Sequence, residues 1–449
     1  MKKIFLASII ALSSTVIHAQ TNPIITKWLQ NTTGITGRHY VSGNPTPIVD
    51  AVLANVQTVQ YSTNWVYVTT NGIPAYITGP FLDGNPSLAT SQAGAIFKFS
   101  LNPTQNTGTA TPTTGGNIGL FKNGVALFDY RDGVSWRNST GSLCGGPINP
   151  PCMGDGKWNR DAVVGERLGF DCSKAHPAMG NYHHHQNPSA FGLDINVIST
   201  VCSTYPSDGL YVINPNEHSP LIGFAYDGFP IYGAYAYANT NGTGGIVRMK
   251  SGYQFRNITA RTVWADGTDV LDGPAVSATY PLGYFREDYE FFSHPTDPSY
   301  LDDHNGRFCV TPEYPNGIYC YFATVDANHN SAYPYVVGPT FYGNKTAIRV
   351  TSISEAVTTL GATNFTDSNF KITIAPNPAQ DFIAIQSQML ENNLKVELID
   401  ELGKVIKISQ ILQGSTLSII ETDTVYNGLY FLRISNDIES KTFKVIIDK

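Results

Sequence analysis

Charged side chains are scarce in this sequence, at 14% of 449 residues, and no stretch carries a sustained 3.6-residue apolar repeat. Long helices are therefore not expected. After the first twenty residues there is no second long apolar run, so no membrane span is expected in the mature chain. Several motifs are also missing: GxSxG, HExxH, a Walker loop, and GxGxxG opening a βαβ unit. These absences count against the common hydrolases and dehydrogenases, while an unfamiliar metalloenzyme stays open. No CxxC occurs, which gives a thiolate zinc site or a thioredoxin-like redox pair little support. Asp and Glu are scattered, so paired carboxylates for glycoside cleavage cannot be assigned.

The N terminus is what remains of long hydrophobicity. Lys2 and Lys3 precede a mostly apolar, uncharged run from Ile4 to Ile17, and His18-Ala19-Gln20 offers a small residue for cleavage. The run is short for a membrane span, so residues 1–20 read as a signal peptide rather than an anchor or a buried helix. Without Lys2 and Lys3 the 28 basic residues become 26, against 35 acidic ones, a net charge near −9. Nucleic acid is excluded as a partner on that balance, because phosphate binding needs a basic surface.

Aromatic and turn-forming residues are abundant: 25 Tyr, 22 Phe, 41 Gly and 27 Pro. Aromatics suit a half-buried pleated surface, and Gly and Pro punctuate it, so the expected fold is mainly β. Val56 to Tyr61 and Trp65 to Val68 are strand-like, and Thr104 to Asn117 reads as a loop. Six cysteines in an exported chain favour disulfides. Spacing suggests Cys144 with Cys152 and Cys309 with Cys320, leaving Cys172 for Cys202.

The expected organisation is a large β-rich domain over residues 21–350, a small-polar connector at 351–369, and a second domain over 370–449. In the last segment lysines rise, histidine and cysteine vanish, and short strands alternate cleanly. Examples are Ile383-Ala384-Ile385, Lys395 to Ile399, Leu429 to Ile434 and Phe443 to Ile447. Six or seven such strands in about eighty residues indicate a small immunoglobulin-like β-sandwich. The ordered set Ala375-Pro376-Asn377-Pro378, Leu398-Ile399-Asp400, Gly403-Lys404 and Gly428-Leu429-Tyr430 resembles a type A sorting domain of the type IX secretion system. That resemblance implies the secretion machinery as partner, removal of this domain, and release or attachment at the outer-membrane surface. A plain immunoglobulin-like adhesion module is the alternative.

Chemistry concentrates in Tyr182-His183-His184-His185-Gln186-Asn187-Pro188. On a strand, His183 and His185 share one face about 7 Å apart, and His184 takes the other. Two imidazoles so placed can chelate one ion, with His176 or His304 completing the set. His218, His294, His329, Asp302, Asp303 and Glu313 are further donors. Imidazole suits zinc, copper, iron or nickel, and copper or zinc is the expected metal. The plain alternatives are a structural polar cluster and acid–base chemistry without metal. A second segment, Tyr226-Asp227-Gly228-Phe229-Pro230-Ile231-Tyr232, is either a tight turn with Asp227 bonding local amides or a pocket wall. In the second case Tyr226, Phe229 and Tyr232 would stack on a surface polysaccharide or other flat ligand. Asp302 to Arg307 is a weak candidate for calcium, since Gly306 is misplaced for an EF-hand.

The same region resembles the YHYH family of exported bacterial proteins, with the motif core over about 118–342. The resemblance is carried by Gly72 to Tyr76, Asn123-Gly124-Val125, Gly180 to His185, Leu221 to Gly233, Asp302 to Arg307, Thr311 to Gly317 and Tyr333 to Gly338. The family's second tyrosine is His184 here, while its two histidines correspond to His183 and His185. At Tyr319-Cys320-Tyr321-Phe322, where some relatives repeat the tetrapeptide, this chain has no histidine. Three functional readings follow: a secreted metal-binding protein, a metal-dependent extracellular enzyme, and a polysaccharide-binding module.

Overall fold

The computed structural model describes residues 22–83, 92–146, 151–191, 200–360, 372–387, 393–400, 403–435 and 440–449. The expected signal peptide at 1–20 and the second part of the expected connector, 361–369, lie outside these. Strand dominates the described residues, and the two α-helices among them have four residues each. The chain forms two units, Asn22–Leu360 and a second from Gly361 to Lys449.

Two sheets are the largest of the seven among the described residues of the large unit. One has five strands, in the order Ile348–Val350, Ala95–Ser100, Trp65–Thr70, Val56–Tyr61 and Thr358–Thr359. Its strands follow β-branched and aromatic runs, and period-2 alternation sends Ala95, Phe97 and Phe99 inward while their neighbours stay half-buried. Because Thr358–Thr359 pairs with Tyr61 and Gln60, residues 358–360 belong to this unit rather than to a connector starting at 351.

The other sheet has eight strands. In chain order they are β1 (Asn117–Phe121), β2 (Ala126–Phe128), β3 (Ala175–Ala178), β4 (Asn181–His184), β5 (Leu221–Ala225), β6 (Pro230–Tyr232), β7 (Gly306–Cys309) and β8 (Ile318–Phe322). Across the sheet the order is β3-β4-β2-β1-β5-β6-β8-β7. Strands β4 and β2 run parallel, as do β6 and β8, and the other pairs are antiparallel. Strands β4, β5 and β6 are buried at every residue, so both faces of the sheet are covered. Val66, Val68, Phe97 and Phe99 of the first sheet share a core with Phe121, Phe224 and Ile231 of the second. Trp28 lies between them, 5.8 Å from Phe99 and 5.3 Å from Phe224.

Two of the three expected disulfides are present, Cys144–Cys152 and Cys172–Cys202. The third is not: Cys309 and Cys320 are free and buried. Register explains the difference. Arg307 stands opposite Cys320, and Cys309 opposite Ile318, so the two cysteines are diagonal neighbours. Diagonal positions lie about 7–8 Å apart, beyond the usual reach of a disulfide.

The second unit has seven strands: β9 (Ile372–Ala375), β10 (Phe382–Ser387), β11 (Leu394–Asp400), β12 (Val405–Ile411), β13 (Leu417–Glu421), β14 (Gly428–Ser435) and β15 (Ser440–Ile447). They form two antiparallel sheets, β9-β10-β13 and β12-β11-β14-β15. Ile383, Ile385 and Ile420 from one sheet meet Val396, Leu398 and Leu432 from the other in a single core. On β11 and β14 charges occupy the outer face, where Arg433 grips Glu397 at 2.6 Å.

The large unit also buries several carboxylates. Asp161 is fully buried, accepts from the Val163 amide at 2.8 Å, and receives the Tyr335 hydroxyl at 2.7 Å. Burial pushes its carboxyl up to about 8, against the pull of those hydrogen bonds. The folded value lies above the unfolded one, so the stability held by the neutral acid is complete below about pH 4 and lost as pH rises towards 8. Melting temperature is expected to fall between pH 5 and pH 8, and Asp161→Asn to flatten that fall. A variant melting profile parallel to the wild type would contradict this.

Candidate metal centre

The hairpin β3–β4 at one end of the eight-stranded sheet assembles the site. Its register places His176 directly opposite His183. His185, one residue past β4, faces the same side as His183, as strand alternation requires. A fourth donor, Glu166, follows the four-residue helix Ala162–Gly165 and caps its C-terminal end. One nitrogen from each of His176, His183 and His185 and one carboxylate oxygen of Glu166 all lie within 4.8 Å of one another.

Individual contacts are shorter. Nε2 of His183 is 3.0 Å from Nε2 of His185. A Glu166 Oε2 lies 3.1 Å from His176 Nε2 and 3.0 Å from His185 Nε2. Neither Glu166 Oε2 nor His176 Nε2 finds a well-aligned hydrogen bond, although both are buried. The three histidines are only 1–3% exposed.

The outer nitrogens are all engaged. His183 Nδ1 contacts the Asn181 carbonyl at 2.8 Å, His185 Nδ1 the Asp129 carbonyl at 2.6 Å, and His176 Nδ1 the Asp83 carboxylate at 3.1 Å. A carbonyl oxygen only accepts, so His183 and His185 carry a proton on Nδ1, and in its neutral form each turns an Nε2 lone pair inward. Two such lone pairs 3.0 Å apart repel unless a proton or a metal cation stands between them. Aromatic rings fix the imidazole planes: Phe128 stacks on His183 at 3.7 Å, and Phe170 meets His176 edge-on at 5.0 Å.

Electrostatics follow this packing. Burial lowers the His183 imidazole well below its usual value, helped by the neighbouring His185 and His176 imidazoles. His176 goes the other way: burial opposes its charge, but Asp83 and Glu166 on either side raise it to about 9. Burial alone would raise the Glu166 carboxyl, yet His176 and His185 hold it well below the carboxylate range. A first-row metal with bonds of about 2.0–2.2 Å would replace the His176 proton and the lone-pair clash together.

Other expected donors lie elsewhere. His304 lies two residues before β7, at the opposite end of the sheet and six strand spacings from β4, or roughly 30 Å. Its Nδ1 is engaged by Thr340 Oγ1 at 2.8 Å, so it is not a fourth ligand. His218 bonds the Ser219 carbonyl, His294 stacks on Tyr300, and His329 meets Tyr235. Asp302 accepts the Tyr319 hydroxyl and the amides of its own turn, and Glu313 the Tyr232 hydroxyl.

The aromatic segment is also placed differently from a ligand wall. Tyr226, Asp227, Phe229 and Tyr232 are all buried, because Asp227-Gly228 is the tight turn joining β5 to β6 inside the core. Asp227 accepts from Tyr321 at 2.6 Å and from the Gly343 amide at 2.8 Å. Glu166 was not legible as a ligand, since no fixed spacing ties it to the histidine run.

Family comparisons agree with this division. A family model described as YHYH protein matches residues 96–334, just over half of the chain. The chain belongs to the YHYH protein family. A second model, for a secretion system C-terminal sorting domain, matches residues 373–448. The sorting tail implies engagement of the secretion machinery, with release or attachment at the cell surface. No helix among the described residues is long and apolar enough to cross a membrane. No curated protein matches the chain. Among solved structures it is similar to one titled as PorZ, an essential bacterial surface component of the type IX secretion system of Porphyromonas gingivalis. That match covers 91% of this chain and 53% of the other at 11% identity, with a TM-score of 0.15, and carries no argument.

In this YHYH protein His184, where the family name has tyrosine, faces away from the cluster and takes a 2.8 Å contact from the Tyr76 hydroxyl. Burial lowers its imidazole to about 3, helped by Lys174. His184→Ala is therefore expected to destabilise the large unit by about 2–4 kcal/mol through a cavity and a stranded hydroxyl. The chemical-denaturation midpoint reads this, and an unchanged midpoint would contradict it.

Proposed function

We propose that this YHYH protein is an exported transition-metal-binding protein whose ligands are His176, His183, His185 and Glu166. What carries the reading is the convergence of three Nε2 atoms and one carboxylate oxygen within 4.8 Å, with the His183 and His185 Nε2 atoms facing each other at 3.0 Å. A purely structural histidine cluster would be expected to pair donors with acceptors. Three imidazoles and one carboxylate suit zinc or copper and are poor ligands for calcium or magnesium. Four protein ligands complete a tetrahedral set, and exposures of 1–3% leave little room for a substrate, which favours holding a metal over catalysis. Burial of Tyr226, Phe229 and Tyr232 removes the support for a polysaccharide platform on those residues. In this reading residues 1–20 are removed as a signal peptide and the sorting domain directs the chain to the cell surface.

Elemental analysis of the purified chain, after exposure in air to zinc and to copper(II), tests this. One ion per chain is expected in the wild type and none in His183→Ala/His185→Ala. Glu166→Gln is expected to weaken retention about ten- to a hundredfold. A wild-type chain without a stoichiometric ion would make the cluster structural.

A further inference from the structure

At the other end of the eight-stranded sheet, Cys309 on β7 and Cys320 on β8 are both 0% exposed and unlinked. Their diagonal register keeps the backbones too far apart for an easy disulfide, yet it sets both side chains on the same face of the strand pair. That spacing suits two sulfurs sharing one ion between them.

Arg307, directly opposite Cys320, supplies an independent observation. Its side chain is 8% exposed and donates to the backbone carbonyls of Tyr237, Ala238 and Pro298. Its Nε has no aligned acceptor, and two residues along the strand Cys309 shares its face. Among the described residues no carboxylate is within ion-pair distance of it. Glu313 is engaged instead by the Tyr232 hydroxyl at 2.9 Å and Lys27 at 3.6 Å. A buried cation answered only by neutral oxygens and the face of Phe322, 5.8 Å away, is costly, and it calls for an anion close by. A disulfide is neutral and would leave the guanidinium uncompensated.

We infer that Cys309 and Cys320 form a second metal site, a two-coordinate one for a soft monovalent cation, with copper(I) as the ion of that class. Thiolates select such ions. Both thiols lose their protons to solvent as two sulfur–copper bonds form, and no electron is transferred. Two thiolates and one copper(I) sum to a single negative charge, which Arg307 neutralises. A divalent ion in the same place would leave a neutral complex and an unanswered guanidinium. This site is separate from the histidine centre and does not depend on it.

Thiol titration of the unreduced, denatured full chain comes first, with two free thiols expected. Finding none would mean a disulfide and would overturn the inference. The native chain is then given copper(I) under argon, with bathocuproine disulfonate as competitor. One equivalent should be retained, with ultraviolet thiolate-to-copper absorption, in the wild type and in His183→Ala/His185→Ala. Cys309→Ser or Cys320→Ser should abolish it, and Arg307→Gln should weaken it about ten- to a hundredfold. Two free thiols without retained copper, or retention that survives Cys320→Ser, would refute the site.

Discussion

Each inward-facing imidazole of the histidine cluster is aimed by the hydrogen bond on its other nitrogen. The Asn181 and Asp129 carbonyls and the Asp83 carboxylate take the Nδ1 positions, and the three Nε2 atoms have no direction left but towards one another. Two of those acceptors are held by the sheet. Asn181 belongs to β4, and Asp129 follows directly on β2, the parallel neighbour of β4. The pairing of β3, β4 and β2 thus determines the positions of the three imidazoles and the Nδ1 protons of His183 and His185. Phe128 and Phe170 close the space around them and exclude the water that would otherwise solvate the lone pairs.

Much of this was legible locally. Valine- and aromatic-rich runs such as Val56 to Tyr61 became strands of the same extent, and the alternating segments after Ile372 became seven strands in two sheets. The opposite orientations of His183 and His184 follow from strand period alone. His176 is near in sequence, and a hairpin brought it round. The turn at Asp227 likewise follows from its Gly228, which adopts a φ of 89°.

What was not legible depends on long-range register. Glu166 reaches the cluster from a helix end, with no motif to mark it. His304 looked as eligible as His176, but sheet order sets it at the far end. The spacing of Cys309 and Cys320 suggested a staple, and a two-residue offset between β7 and β8 made them diagonal neighbours instead. Sequence distance and composition carry no information about such offsets, because they arise from the packing of the whole sheet.

The Cys172–Cys202 bond acquires another meaning from its position in the chain. Cys172 lies between Glu166 and His176, so the covalent clamp fastens the very segment that delivers two of the four converging donors. Such a bond is kept reduced in the cytoplasm and closes in an oxidising compartment. The chamber is consequently finished by export itself. Oxidation acts as the last assembly step, and the ions within reach of the completed chamber are those of the envelope and the exterior rather than those of the cytosol.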